Sequence, residues 1–195
     1  CAINVGLKNI RSVINQKKMD IIFILDESGS MSSMGNEPIQ STNNFIKDQQ
    51  ATLTGVGSTF TLWKFSDKPT LVIDDQDLTQ VAPFKNYTPS GMTALYDTIG
   101  QAINTKLAKV RHENVICVIL TDGEENSSTK FNRKKIKKMI SDAETDYNWK
   151  FIYLGANQDA YAVGSSFGIK QKNCAGFLAD ANGFQNILTL TSSAV

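Results

Sequence analysis

The sequence predicts a doubly wound α/β domain: a mostly parallel six-stranded sheet with one antiparallel edge strand and helices on both faces. Three observations predict it. Continuous apolar runs at 20–26 and 115–121 lack alternation, as strands buried on both faces of a parallel sheet do. Amphipathic helical stripes lie between the strand signals. Strands and helices alternate along the chain, the order that gives a parallel sheet covered on two sides.

Each element can be read in turn. Asp20-Ile21-Ile22-Phe23-Ile24-Leu25-Asp26 is the first strand. Ile39, Phe45, Ile46 and Leu53 mark one face of a helix near 37–54. Residues 58–65 alternate apolar and polar. Asp67-Lys68-Pro69 then turns the chain into a strand near 70–74, close enough for an antiparallel hairpin. Leu95, Ile99, Ala102, Ile103 and Leu107 stripe a helix over 93–108. The buried strand 115–121 follows. Ile136, Met139, Ile140, Ala143 and Tyr147 stripe the next helix. Phe151-Ile152-Tyr153-Leu154 is a short strand, Ala160, Val163, Phe167 and Ile169 mark a helix near 157–167, and a further strand is expected near 173–178. In the tail 181–195, Phe184, Ile187, Leu188 and Leu190 line one helix face. Residues 1–19 are expected to form an N-terminal extension packed on a domain of residues 20–195.

A chain of 195 residues, 41% hydrophobic and 20% charged, has the length of one domain and a core that needs no staples. A net charge of +1 provides no field for nucleic acid or an acidic membrane. No apolar run approaches the roughly 20 residues of a membrane span, and no charged-then-apolar leader pattern opens the chain. The three cysteines make no CxxC pair. Cys117 reads as a small hydrophobe within a strand. So sparse a set favours a reducing, cytoplasmic compartment, with a Cys1–Cys174 disulfide open if the ends meet.

Several chemistries are poorly served. His112 is the lone histidine, which excludes a zinc cluster and most Ser-His-Asp schemes; it reads as the end of the preceding helix. There is no G-x-S-x-G and no phosphate-cradling glycine loop. The basic run Lys130, Arg133, Lys134, Lys135, Lys137 and Lys138 reads as the solvated face of an amphipathic helix. Phe60, Trp63 and Phe65 read as core.

The informative residues stand at strand ends. Asp26-Glu27-Ser28-Gly29-Ser30 leaves the first buried strand with a carboxylate and two hydroxyls at alternate positions. Oxygen-only donors suit a hard cation, although Asp and Ser are equally at home in turns and caps. Thr121-Asp122-Gly123-Glu124-Glu125 leaves the second buried strand at the same sheet edge, where doubly wound sheets bind ligands. Ser90-Gly91-Met92-Thr93 opens a helix, with Thr93 either its cap or a further oxygen donor. Glu27, Met31, Met34 and Glu124 flank this edge on loops expected to be exposed, a place for partner choice.

Together these segments resemble the von Willebrand factor A family with a metal-ion-dependent adhesion site. Asp26, Ser28 and Ser30 match its first motif, Thr93 the second and Asp122 the third. The words Ile-Leu-Asp-Glu-Ser-Gly-Ser-Met, Gly-Met-Thr-Ala-Leu-Tyr-Asp-Thr-Ile-Gly and Leu-Thr-Asp-Gly-Glu-Glu-Asn-Ser-Ser are similar to its bacterial and phage members, over roughly residues 18–180. The resemblance implies a Rossmann-like fold and a bound Mg²⁺, Ca²⁺ or Mn²⁺. Ser28, Ser30 and Thr93 would ligate directly, and Asp26 and Asp122 mostly through water. One position would stay open for an Asp or Glu of a protein partner. It also implies an affinity switch in which Thr93 moves relative to Asp122 with the last helix, and no catalytic residues. The competing expectation is a Mg²⁺-dependent hydrolase or phosphatase using Asp26 as nucleophile. Its second acid two positions on is absent, since residue 28 is serine.

Overall fold

The computed structural model describes residues 18–53, 55–110, 112–156 and 159–177. Cys1, most of the expected N-terminal extension and the expected tail helix at 181–195 lie outside them. The elements are β1 (Asp20–Asp26), α1 (Glu37–Thr52), β2 (Thr59–Phe65), β3 (Pro69–Asp77), α2 (Leu95–Leu107), β4 (Val115–Thr121), α3 (Arg133–Tyr147), β5 (Lys150–Ala156), α4 (Ala160–Ser166) and β6 (Cys174–Phe177).

The six strands lie in the order β3-β2-β1-β4-β5-β6. All neighbours are parallel except β2 and β3, which is the expected doubly wound sheet with one antiparallel edge. Strand order reverses between β1 and β4, so the segments that follow Asp26 and Thr121 emerge side by side at the switch point.

Continuous apolar runs make β1 and β4 buried on both faces. Phe23 and Leu25 face α1, with Phe45 and Ile46 packed against them. Ile22 and Ile24 face Leu95, Ile99 and Ile103 of α2, in a layer that also takes Ile136 and Ile140 of α3. Each such side chain withdrawn from water contributes roughly 1.5–3 kcal/mol. The lysines of α3 lie on its exposed side, as its sequence stripe requires. Cys117 and Cys174 are buried, and among the described residues neither forms a disulfide.

The alternating residues of β2 form the expected strand, and its polar Thr59 and Thr61 are buried. Their hydroxyls find partners on β3. Thr59 Oγ1 donates to Asp75 Oδ1 at 2.7 Å, and Thr61 Oγ1 accepts the Asp75 amide at 3.1 Å. Strand β3 continues to Asp77, three residues past the expected 74. It crosses irregular register with β2 and carries Asp75 in the left-handed region at φ 50°, as a bulged edge strand can.

The opposite, lower edge of the sheet is closed by charge. Lys106 of α2 is buried and reaches Asp20 Oδ2 at 3.0 Å and Asp75 Oδ1 at 2.5 Å. Asp20 also accepts the Thr59 amide. This ion triad ties α2, β1, β2 and β3 together.

Candidate functional site

Three loops meet above β1 and β4, and each is shaped by its own sequence. The first begins at Asp26, the last residue of β1, fully buried. Asp26 Oδ1 accepts the Ser28 amide at 2.7 Å, which turns the chain sharply after the strand. Asp26 Oδ2 accepts Thr121 Oγ1 at 2.5 Å, which joins the ends of β1 and β4. Beyond Ser28 the chain forms a short 3₁₀ helix, Gly29–Met34.

The second loop is held against the first. The Ser90 amide donates to the Glu27 carbonyl, and the Gly29 amide to the Gly91 carbonyl, at 2.9 and 3.0 Å. Gly91 has φ +75°, and a Cβ there would lie 2.5 Å from the Asp67 carboxylate, so any other residue would be strained and would push Asp67 aside. Asp67 in turn accepts the Met92 amide at 2.9 Å.

The third loop follows Thr121 and brings Asp122. Ser30 Oγ donates to Asp122 Oδ1 at 2.6 Å and lies 3.1 Å from Ser28 Oγ. Thr93 does not cap α2: Ala94 holds that position without a side-chain bond. The Thr93 hydroxyl instead turns inward, and a Cβ on Gly123 would stand 3.2 Å from Thr93 Oγ1 and 3.5 Å from Ser30 Oγ. The absent side chain at Gly123 is what lets Thr93 and Ser30 approach the same place. Asp26, Ser28, Ser30, Thr93 and Asp122 thus converge from three separate stretches of sequence.

Sequence reading missed the residues that fix this arrangement. Glu125 caps α2 from outside the helix: its Oε2 accepts the Tyr96 amide at 2.8 Å, and Ser128 Oγ accepts the Asp97 amide at 2.9 Å. Asp97 answers from α2 by accepting the amides of Thr129, Lys130 and Phe131. Burial pushes the Asp97 carboxyl upward, but those three amides outweigh it and leave it below the usual carboxylate range. Asn126 bonds Thr93 through both side chain and backbone. The signal was present in the polar run Glu124-Glu125-Asn126-Ser127-Ser128 and in an acid in the first turn of α2, next to its apolar stripe.

Loop exposure was also misjudged. Met31 and Met34 are core residues and Glu27 is buried. Glu27 meets Lys64 Nζ at 2.9 Å and accepts the Thr88 amide at 2.7 Å, so it organises the loops and faces no partner. Glu124 is exposed as expected. Met92, 49% exposed beside Thr93, is the apolar side chain presented there. His112 lies beyond the end of α2, its Nδ1 2.9 Å from the Lys109 carbonyl, with its ring edge-on to Tyr147.

The electrostatics of the centre are unbalanced. Burial pushes the Asp26 carboxyl up to about 6, against bonds from Ser28 and Thr121 that lower it, and the nearby Asp122 adds to the rise. Burial raises Asp122 as well. Among the described residues, neither carboxylate forms an ion pair with lysine or arginine. Among them no group of three or more His, Cys, Asp or Glu is placed to hold a metal ion either. The centre instead combines two carboxylates with three hydroxyls. That all-oxygen set, short of positive charge, fits a hard divalent cation.

Fold and sequence agree on the family. Residues 20–188 match the von Willebrand factor type A domain, and the chain belongs to that family. No curated protein matches it. Among solved structures it is similar to the pilus adhesin SpaC of Lactobacillus rhamnosus GG, with 16% identity and a TM-score of 0.70 over 92% of this chain and 31% of the adhesin. It is also similar to proximal thread matrix protein 1 of the mussel byssus, described with a zinc-occupied MIDAS motif. That match has 16% identity and a TM-score of 0.66, over 90% of this chain and 47% of the mussel chain. The von Willebrand domain of the type V pilus tip protein Mfa5 from Porphyromonas gingivalis matches at 13% identity and a TM-score of 0.60, covering 91% and 96%. The chain therefore spans under half of the mussel protein and about a third of SpaC. These likenesses are of fold.

Proposed function

We propose that this domain is a divalent-metal-dependent protein-binding module, with Asp26, Ser28, Ser30, Thr93 and Asp122 holding one Mg²⁺, Ca²⁺ or Mn²⁺. The observation that carries the reading is the meeting of three hydroxyls and two carboxylates, with no ion pair to lysine or arginine among the described residues, at the switch point of the sheet. A bound cation there would supply an exposed positive centre able to accept a partner's Asp or Glu carboxylate. The chain's own residues prepare that place. Asp26 shapes the first loop, Thr121 and Asn126 fix the other two, and Ser30 and Met92 face outward. The adhesin and matrix proteins that share the fold, one with zinc in its motif, support a binding role.

The hydrolase reading is less well supported. Asp26 has one carboxylate oxygen taken by the Ser28 amide and the other by Thr121, and its side chain is buried. A nucleophile must instead present a free oxygen to substrate. Two measurements separate the readings. Affinity capture with a Ser28→Ala/Ser30→Ala variant as control should show binding that Mg²⁺ supports and EDTA abolishes in the wild type alone. A panel of phosphate and ester substrates should show no metal-dependent turnover. Capture indifferent to EDTA, or turnover lost in Asp26→Asn, would reverse the choice.

A further inference from the structure

Of the five methionines, Met31 and Met34 are buried, Met19 and Met139 are half-buried, and Met92 alone is exposed. A single exposed apolar residue is ordinary on a protein surface. What sets Met92 apart is its seat. It directly precedes Thr93, one of the proposed ligands, and its backbone is fixed on both sides. Its own amide donates to Asp67 Oδ1 at 2.9 Å, and the next amide, that of Thr93, donates to Asn126 Oδ1 at 2.8 Å. Just before it, the Gly91 carbonyl accepts the Gly29 amide at 3.0 Å. The other exposed residues of these two loops nearest the proposed ligands, Ser30, Ser90 and Gly91, are small. A large apolar side chain among small polar ones, on a braced loop beside the centre, is suited to contact a partner.

We propose that Met92 is a specificity-determining contact of this binding face, and that the partner segment carries a large apolar side chain beside the Asp or Glu that seeks the metal. The inference rests on the metal-dependent reading above. A thioether has no proton to donate and accepts hydrogen bonds weakly, while its unbranched, polarisable chain packs well on aliphatic and aromatic groups. Covering it withdraws apolar surface from water on both partners. Chain geometry sets the spacing. An extended partner segment advances about 3.3 Å per residue and returns to the same face at every second residue. With its acid at the metal, the residue two positions away faces the domain again about 7 Å further on, within reach of the side chain that neighbours Thr93.

The test pans a phage-displayed library of random linear peptides on the immobilised chain in Mg²⁺, with elution by EDTA, in parallel on wild type, Met92→Gln and Met92→Leu. Wild type and Met92→Leu should enrich an acid with a large apolar residue two positions away. Met92→Gln, similar in length but polar, should keep the acid and lose the apolar preference. A synthetic peptide of the enriched sequence should bind Met92→Gln about three- to tenfold more weakly than wild type, the scale of covering about half a methionine side chain. Changing its apolar residue to Ser should weaken binding to wild type to a similar degree and remove most of the difference between the proteins. Calorimetric titration with Mg²⁺ alone should give the same affinity for all three. Weaker metal binding by Met92→Gln would make Met92 a support for Thr93. An apolar preference that is missing, or that survives in Met92→Gln, would remove the contact. Either result overturns the proposal and leaves the metal reading standing. A wild type that takes up no Mg²⁺, or yields no EDTA-eluted peptide, overturns both.

Discussion

Asn126 holds Thr93 at both ends of its backbone: its Oδ1 accepts the Thr93 amide at 2.8 Å, and its own amide donates to the Thr93 carbonyl at 3.1 Å. Thr93 and Asp122 come from segments 29 residues apart in sequence, yet this pair of bonds fixes one loop to the other. A Thr93 that shifts against Asp122 must first break them. Asn126→Ala removes the side-chain bond and keeps the backbone one, and should therefore lower divalent-metal affinity by roughly three- to tenfold, the net worth of one hydrogen bond, although Asn126 is not among the proposed ligands. Asn126→Asp keeps the accepting oxygen and should restore most of the affinity. Calorimetric titration of both variants, with thermal melts in EDTA to separate affinity from stability, checks this.

The buried Asp26 makes a prediction about pH. Its carboxyl is at about 6 in the folded, metal-free protein against an ordinary 3.8, so between those values the folded state binds more protons than the unfolded chain. Stability from this group is greatest below 3.8 and falls as pH rises through 6, by about 3 kcal/mol in all. Other carboxylates, Asp97 among them, act in the opposite direction. The quantity to follow is therefore the difference between wild type and Asp26→Asn. Denaturant titrations in EDTA from pH 4 to 8 should show the variant gaining on the wild type as pH rises through about 6; a difference that stays level contradicts the burial argument.

Lys106 tests whether the two edges of the sheet are separable. Its replacement by Ala leaves Asp20 buried without its cation, which should cost about 3–5 kcal/mol. Because the triad lies at the edge opposite Asp26 and Asp122, metal affinity of the folded fraction should not change. Chemical unfolding followed by metal titration at low temperature reads both quantities.

How much of this was legible depended on the kind of signal. The apolar runs of β1 and β4 declare their burial directly, and with them the neighbouring ends where Asp26 and Asp122 stand. The alternation at 58–65 marked its strand correctly but not the burial of Thr59 and Thr61, because their hydroxyls bond to a bulged neighbouring strand. Met31 and Met34 were expected to be exposed because they follow a strand end. The chain there winds into a 3₁₀ helix, whose three-residue period stacks positions 31 and 34 on the inward side. The bracing by Glu125, Asn126 and Asp97 joins residues about 30 positions apart; the polar run at 124–128 and the acid in the first turn of α2 mark the bonding groups but not which distant residues they meet.

The most direct test of the account is a calorimetric titration of the metal-free domain with Mg²⁺ and Mn²⁺, repeated on Asp122→Ala. One ion per chain should bind the wild type, and binding should be weakened about ten- to a hundredfold in the variant. A wild type that takes up no divalent ion, or an Asp122→Ala variant that binds as tightly as the wild type, would contradict the assignment of these five side chains to a single metal.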